Sequence, residues 1–189
     1  MQHLKDTFKH QGKRKILIAE LVEMGIKNKD ILEAFNAIPR HFFLDLAFDE
    51  QAYTNMAFQI GSGQRIQVWN PEPDPISSTF SPFFSSNKSV WNAKQMVGFF
   101  NFSAKMYFGD GYKGNLSYAP YDKILVTCGA PEIPNELIKQ LKIGGIMIIP
   151  VGEGKEQKML KIIKTQETEY SIQEFGTFKF VPMLERTVK

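Results

Sequence analysis

The sequence predicts an α/β fold in which a mostly parallel sheet, covered by helices, ends in an antiparallel edge. Three observations carry this. Two continuous apolar runs, Ile124-Leu125-Val126 and Ile146-Met147-Ile148-Ile149, mark strands buried on both faces. Between them lies a helical stretch opened by Pro134, giving the strand–helix–strand order of a parallel pair. After them, residues 158–165 and 169–175 read as an antiparallel pair, followed by a last strand over 178–183.

The elements follow in order. Residues 13–24 form an amphipathic helix with Ile16, Ile18, Ala19, Leu21 and Val22 apolar, and Gly25 ends it as a C-terminal cap. Asn28 starts a second helix with Ile31, Leu32, Ala34 and Phe35 on its apolar side, and this helix stops before Pro39. Residues 51–64, with Tyr53, Phe58 and the Gly61-Ser62-Gly63 turn, form a loop. From 65 to about 87 the character changes. Pro71, Pro73, Pro75 and Pro82 accompany a run of serines, and irregular structure is expected because Pro removes backbone donors. Residues 88–98 form one further helix carrying Val90, Trp91, Ala93, Met96 and Val97. A short strand over 105–108 ends in Gly109-Asp110-Gly111, and Tyr121 to Thr127 is the first of the two buried strands. The helix from Pro134 runs to Leu141, Gly144-Gly145 turns the chain into the strand 146–150, and Gly152-Glu153-Gly154 is the next turn.

The 189 residues suit one domain, with N-terminal helices and a loop over 1–64, a Pro/Ser-rich segment over 65–100 and the second half of the sheet over 101–189. A net charge of +3 with scattered Lys and Arg gives no argument for nucleic acid. A single cysteine, Cys128, excludes an internal disulfide, fits a reducing compartment and is expected to be buried and inert. No apolar run approaches the ~20 residues of a membrane helix, and the polar, basic start has no apolar stretch behind it. A monomeric cytoplasmic protein with no membrane partner is the expectation.

Five groups of short strings then occur in one order. They are Ile31-Leu32-Glu33-Ala34-Phe35 with Ile38-Pro39-Arg40-His41-Phe42-Phe43; Ala52-Tyr53 with Ile60-Gly61-Ser62-Gly63-Gln64; and Gly109-Asp110-Gly111 with Ala119-Pro120-Tyr121-Asp122-Lys123-Ile124 and Val126-Thr127. The fourth is Ala130-Pro131-Glu132-Ile133-Pro134 with Leu137, Gln140-Leu141 and Gly144-Gly145, and the fifth Ile149-Pro150-Val151-Gly152 with Gln157 and Phe180-Val181-Pro182-Met183. Each alone is weak; in order, over residues 1–64 and 101–184, the chain resembles the protein-L-isoaspartate O-methyltransferases. The resemblance implies a Rossmann-like class I methyltransferase sheet. It implies transfer of the methyl group of S-adenosylmethionine to the free carboxylate of L-isoaspartyl residues in damaged proteins, a repair reaction. No metal is needed. On this resemblance Gly109, Asp110, Gly111 and Thr127 touch the cofactor, while Arg40, Tyr53, Ile60, Gly61 and Gln64 face the isoaspartyl peptide.

The chain also departs from the family pattern. The family has a glycine-rich cofactor turn after its first strand, and here Gly98 is the only glycine between Gln64 and Gly109. Residues 65–108 are 44 in number, whereas three strands, two crossover helices and a lead-in helix need roughly 65–70. Part of the first half of the sheet is therefore expected to be missing. Where the family has its active-site serine this chain has Gln67, an amide donor but no hydroxyl. Similarity stops abruptly after Gln64 and resumes near Asn101, which motivates the hypothesis that residues 65 to about 88 come from a shifted reading frame plus a deletion, or from an aberrant gene model; one clean frame in the coding DNA of close relatives would overturn it. The alternative to an active enzyme is a catalytically inactive remnant of the family, unable to bind the cofactor.

The candidates carry plainer readings as well. Asp110 is either a nucleoside ligand or a turn residue between glycines. Thr127 follows a central strand, where open α/β sheets place ligands, or belongs to an ordinary strand-to-helix loop. Arg40 suits bidentate recognition of a carboxylate and equally a structural ion pair. His41, beside Phe42 and Phe43, reads as a packed histidine rather than a catalyst.

Overall fold

The computed structural model describes residues 5–44, 46–54, 65–71, 78–84, 107–180, 182 and 183. The chain divides into two compact units, Met1–Phe58 and Gln59–Lys189.

In the first unit, α1 (Phe8–Glu23) starts earlier than the apolar pattern suggests. Its N-cap is Thr7, whose side chain accepts from the His10 backbone N–H while the His10 ring accepts from the Thr7 N–H. This is a capping box with histidine in the place usually taken by Glu or Gln, which is why the sequence did not flag it. Gly25 ends the helix at φ 98°, with the Ile26 N–H reaching back to the Leu21 carbonyl. Asn28 caps α2 (Lys29–Ala37), which stops before Pro39 as expected. The apolar side of α2 is not buried: Ile31 and Phe35 are exposed, and no residue of the helix is buried. Two short 3-10 turns follow, Arg40–Phe43 and Leu46–Gln51. The buried apolar cluster of this unit is small, comprising Leu17, Leu21, Ala52 and Tyr53.

The second unit holds a seven-stranded sheet in the order β3-β2-β1-β4-β5-β6-β7. The strands are β1 (Arg65–Pro71), β2 (Ser78–Phe84), β3 (Tyr107–Phe108), β4 (Tyr121–Val126), β5 (Leu141–Val151), β6 (Gln157–Lys164) and β7 (Tyr170–Phe178). Only β2–β3 and β4–β5 run parallel; β1–β2, β1–β4, β5–β6 and β6–β7 are antiparallel. The expected mostly parallel sheet is thus a mixed one. The reason lies in chain length: β1 ends at Pro71 and β2 begins at Ser78, and a parallel crossover takes roughly a dozen residues or more.

Three further expectations change. Residues 65–87 are not wholly irregular, since β1 and β2 form a hairpin there. Pro82 is tolerated because β2 pairs with β3 only at Phe83 and Phe84, leaving the edge beside Pro82 without a described partner strand. The helix at Pro134 is shorter than expected: α3 (Asn135–Lys139) gives way to β5 at Leu141. Gly144 (φ 82°) and Gly145 bulge within β5, which spends five residues from Leu141 to Ile146 where β4 spends two. Finally, 178–183 is not a strand among the described residues; Phe178 closes β7 and Pro182 makes a single bridge to Gly129. The predicted helix 88–98 lies outside the described residues. The antiparallel closing hairpin, β6 with β7, is found as expected.

Tyr121, Ile124 and Val126 of β4, Leu137 of α3, and Met147 and Ile149 of β5 form the centre of the core. Lys164, 3% exposed, crosses this unit to donate to the Lys139 and Leu141 carbonyls, satisfying the end of α3. Among the described residues, no helix is long and apolar enough to cross a membrane.

Candidate functional site

Strand directions decide which loops share an edge. Because β3, β4 and β5 all point the same way, Gly109-Asp110-Gly111, Thr127–Ala130 and Val151-Gly152 leave the same end of the sheet. Open α/β sheets bind ligands at the carboxyl ends of their parallel strands. The start of β1 joins this edge: Arg65 is opposite Phe84, Phe84 is opposite Phe108, and Ile66 is opposite Val126. Gln67 sits one step further in, opposite Pro82 and Leu125. Three strand spacings, roughly 14 Å, separate β3 from β4.

The Gly109–Gly111 turn is rigid for local reasons. Asp110 Oδ1 accepts from the Tyr112 N–H at 3.0 Å, an Asx turn, and the carbonyls of Asp110 and Gly111 accept from Lys113 and Gly114. Gly114 takes φ 62°. The next residues are tied to the end of α3 by Gln140, 1% exposed: its Oε1 accepts from the Asn115 N–H and its Nε2 donates to the Lys113 carbonyl, both at 2.8 Å. Tyr121 Oη donates to the Asn115 carbonyl at 2.6 Å, and burial pushes its phenol up to about 12. Gln140 stands in the fourth family string, but a lone amide carries no motif that would reveal this role.

On the other side of the edge, Thr127 is half-buried and Cys128 is fully buried. Burial pushes the Cys128 thiol up to about 12, so it stays protonated and is no nucleophile at neutral pH. The loop after β4 is sewn to the following strands: Ala130 N donates to the Pro150 carbonyl, Gly152 N to Ala130, and Met183 N to Gly129. A Cβ at Gly129 would lie 2.9 Å from the Gln157 side chain, so any larger residue there requires Gln157 to shift.

In the N-terminal unit the structure brings Arg40, His41, Tyr53 and Thr54 together. Arg40, half-buried and with its pKa lowered by that burial, donates from Nη1 to the Thr54 carbonyl at 3.4 Å. The Tyr53 side chain is buried, and its hydroxyl lies 2.8 Å from His41 Nδ1 and 3.2 Å from Arg14 Nη1. Arg14 forks onto both oxygens of Asp6, which holds that carboxyl below its ordinary range against the opposing effect of burial. The His41 ring stacks on His10 with centroids 3.8 Å apart. Ile60, Gly61 and Gln64 lie outside the described residues.

Asp6, His10 and His41 each present a ligand-type atom within 4.8 Å of the others. Their arrangement is not that of a metal site. Rings stacked at an interplanar angle of 25° aim their in-plane lone pairs nearly parallel instead of converging, and Asp6 is held in the Arg14 fork.

S-adenosylmethionine can be tested against the C-terminal edge. Two glycines flank a half-buried carboxylate whose orientation is fixed by Tyr112, and Thr127 lies on the same edge. These are acceptors and close-approach backbone suited to the nucleoside side of such a group. Among the described residues no glycine-rich turn faces the remainder of it.

Comparison with known proteins closes the question of descent. Residues 12–70 and 84–188 match the family model for protein-L-isoaspartate(D-aspartate) O-methyltransferase. The match reaches further into the middle than the short strings do, leaving 71–83 unmatched. The protein-L-isoaspartate O-methyltransferase of Flavobacterium psychrophilum is 41% identical over 217 residues, covering 96% of this chain and 99% of that protein. Those of Flavobacterium johnsoniae and Cytophaga hutchinsonii are 38% and 36% identical, each over 96% of this chain and over 99% and 95% of their own lengths. Since 96% of 189 residues is about 181, about 36 of the 217 aligned positions have no counterpart here. A solved protein-L-isoaspartate O-methyltransferase superposes with a TM-score of 0.70 at 19% identity, over 92% of this chain and 67% of that one. One from Plasmodium falciparum, in complex with S-adenosyl-L-homocysteine, gives 0.68 at 15%, over 92% and 99%. These likenesses establish the Rossmann-like α/β fold. The chain belongs to the protein-L-isoaspartate O-methyltransferase family.

Proposed function

We infer that this chain transfers a methyl group from S-adenosylmethionine to the free carboxylate of L-isoaspartyl residues in damaged proteins. The observation that carries the reading is the family match along nearly the whole chain. The sulfonium methyl is what the cofactor supplies when bound. The acceptor carboxylate is already ionised at neutral pH, so no strong base is required. What remains for the protein is to hold nucleophile and methyl group close and away from water.

The residue roles are those the family resemblance implies. Asp110, with Gly109 and Gly111, takes the adenine side and accepts from its amino group, while Thr127 lines the same edge. Arg40 orients the peptide carboxylate by charge and a planar donor fork. Ile60, Gly61 and Gln64 complete the peptide side. Gln67, at the position of the family serine, offers an amide hydrogen to the reacting carboxylate. A cytoplasmic setting suits Cys128, a buried free thiol. The working unit is taken to be a single chain.

The test is incorporation of labelled methyl into an isoaspartyl peptide, with the aspartyl peptide of the same sequence as control. A base-labile ester on the isoaspartyl peptide alone is the expected result; no ester on either peptide overturns the reading. One observation favours a second reading, the inactive remnant: Gly98 is the only glycine between Gln64 and Gly109, so the sequence holds no glycine-rich turn there for the cofactor. Calorimetry with S-adenosylhomocysteine separates the two, heat at micromolar ligand supporting the enzyme and none supporting the remnant.

A further inference from the structure

We propose that Gln140 is a positioning residue for the cofactor: it fixes where the Asp110 carboxylate stands and so sets the affinity for the nucleoside. The inference rests on the reading of Gly109-Asp110-Gly111 as the adenine side of the site.

The turn needs an anchor downstream. The strand that leads into it, β3, pairs with β2 only at Tyr107 and Phe108 among the described residues. Inside the turn, the Tyr112 N–H donates to Asp110 Oδ1 and the Lys113 N–H to the Asp110 carbonyl at 3.2 Å. These bonds fix the shape of the turn but not its place on the sheet. Past the turn the chain meets Gln140, whose Nε2 donates to the Lys113 carbonyl and whose Oε1 accepts from the Asn115 N–H. Asp110 and Gln140 are thus joined through a single residue, Lys113, which holds one by its N–H and the other by its carbonyl.

Gln140 is in turn fastened to the sheet. It is buried, its backbone carbonyl accepts from the N–H of Tyr121, the first residue of β4, at 2.7 Å, and Nε2 also donates to the Glu136 carbonyl. Tyr121, equally buried, donates from Oη to the Asn115 carbonyl. Gln140, Asn115 and Tyr121 therefore close a triangle in which each bonds to the other two.

The partners dictate the side chain. Two carbonyls only accept and one N–H only donates, so this position must offer two hydrogens and one acceptor without charge. A primary amide does so; a carboxylate offers no hydrogen. The consequence for binding is direct. A hydrogen bond from an adenine amino group weakens steeply with distance and misalignment. A turn cut loose from Gln140 would bind the nucleoside only for the fraction of time that Asp110 is in place.

The test uses the full chain. Gln140→Met keeps the length and packing but removes the bonds. Asp110→Asn, the double variant Gln140→Met/Asp110→Asn, and Ile162→Ala, a core truncation on β6, accompany it. Two readouts are taken where every variant is folded: affinity for S-adenosylhomocysteine by calorimetry, and amide exchange at Tyr112 and Lys113, whose N–H groups do not bond to Gln140. Gln140→Met should bind roughly 3–10-fold more weakly and exchange faster at both amides. Ile162→Ala, destabilised by its cavity, should keep the wild-type affinity. In the double variant the combined loss should be at least about twofold smaller than the product of the single losses. Tyr121→Phe, which removes only the hydroxyl on the Asn115 carbonyl, should move both readouts the same way by a smaller factor. It decides the question if Gln140→Met does not fold, and no change in either readout then overturns the proposal. If wild type binds no S-adenosylhomocysteine, the cofactor reading fails, and exchange at Tyr112 and Lys113 still decides whether Gln140 positions the turn. Wild-type exchange at those amides in folded Gln140→Met overturns the proposal. So does an affinity loss that Ile162→Ala shares, or one that simply multiplies with that of Asp110→Asn.

Discussion

Gln140 holds Asn115: its Oε1 accepts the Asn115 backbone N–H at 2.8 Å, while its Nε2 donates to the Lys113 and Glu136 carbonyls at 2.8 and 2.9 Å. One buried side chain thereby ties the loop after the Gly109-Asp110-Gly111 turn to the last turn of α3. Gln140→Ala leaves a buried N–H and two carbonyls without this partner, and the expected loss is about 2–3 kcal/mol. Urea unfolding with an unchanged m-value would measure it. Gln140→Glu should lose nearly as much, because a carboxylate cannot donate to Lys113 and carries a charge into a buried site.

Gly114 provides a second, coupled test. Its φ of 62° is left-handed, and a Cβ there would lie 2.5 Å from Gln140 Oε1. Gly114→Ala is expected to cost about 1–2 kcal/mol from the backbone alone, plus whatever the displaced amide loses. In the Gly114→Ala/Gln140→Ala double variant the steric part disappears. The two effects should then sum to less than the single costs, by more than about 0.5 kcal/mol. Strict additivity in a double-mutant cycle would refute the contact.

These two residues show what was legible in the sequence and what was not. The strands Tyr121–Val126 and 146–150, the cap at Asn28, the stop at Gly25 and the closing hairpin β6–β7 were readable, because each rests on local chemistry or on apolar periodicity; burial of Tyr121–Val126 on both faces was not borne out, since Leu125 is 41% exposed between buried Ile124 and Val126. The hairpin β1–β2 was not, since four prolines spoke against strands and the pairing that admits Pro82 depends on which neighbour β2 lacks. The antiparallel pairing of β1 with β4 could not be read either, since it joins segments more than fifty residues apart. At the site, short strings pointed to Asp110, Arg40 and Tyr53 one by one. That Arg40-His41 grips Tyr53-Thr54 is a long-range pairing no string contains.

Cys128 gives a prediction about reactivity. It is fully buried and its thiol is pushed up to about 12 by desolvation. The folded chain should react with a thiol reagent at neutral pH only through opening, at a rate orders of magnitude below that of the denatured chain. The pH effect has a definite sign. The unfolded thiol ionises near 8.5, well before the folded one, so stability contributed by the protonated thiol falls as pH rises above that value. Cys128→Ala should remove this alkaline slope; stoichiometric labelling of the native chain within seconds would contradict the burial.

Asp110 separates the ligand reading from the turn reading. Its Oδ1 is used by the Tyr112 N–H, so any substitution that removes the carboxylate also removes an Asx turn. Asp110→Asn keeps an acceptor for Tyr112 but loses the charge-assisted bond to an adenine amino group. On the ligand reading Asp110→Asn weakens S-adenosylhomocysteine binding by about tenfold or more, a charge-assisted bond contributing about 1.5–3 kcal/mol. Its melting temperature should stay within about 2 °C of wild type. Unchanged affinity in a folded Asp110→Asn protein would assign the residue to the turn alone.

His41 sets the pH response of the N-terminal unit. Its folded pKa is lowered, by burial first and by neighbouring His10 in part, while the unfolded histidine titrates near 6.5. As pH falls the unfolded chain takes up the proton first. The contribution of the neutral ring is therefore complete above that value and is lost below it. Asp6 acts in a separate, more acidic window: its folded pKa lies below 3.8, so the stability it gives through Arg14 is present above that value and is lost as pH falls through the folded pKa. Two steps are expected on acidification, and His41→Asn should erase the first while leaving the second. Thermal melts from about pH 7.5 down to about pH 3 would resolve them. A melting temperature that is flat from neutral pH to the carboxylate range would show that His41 takes up its proton as freely in the folded chain as in the unfolded one.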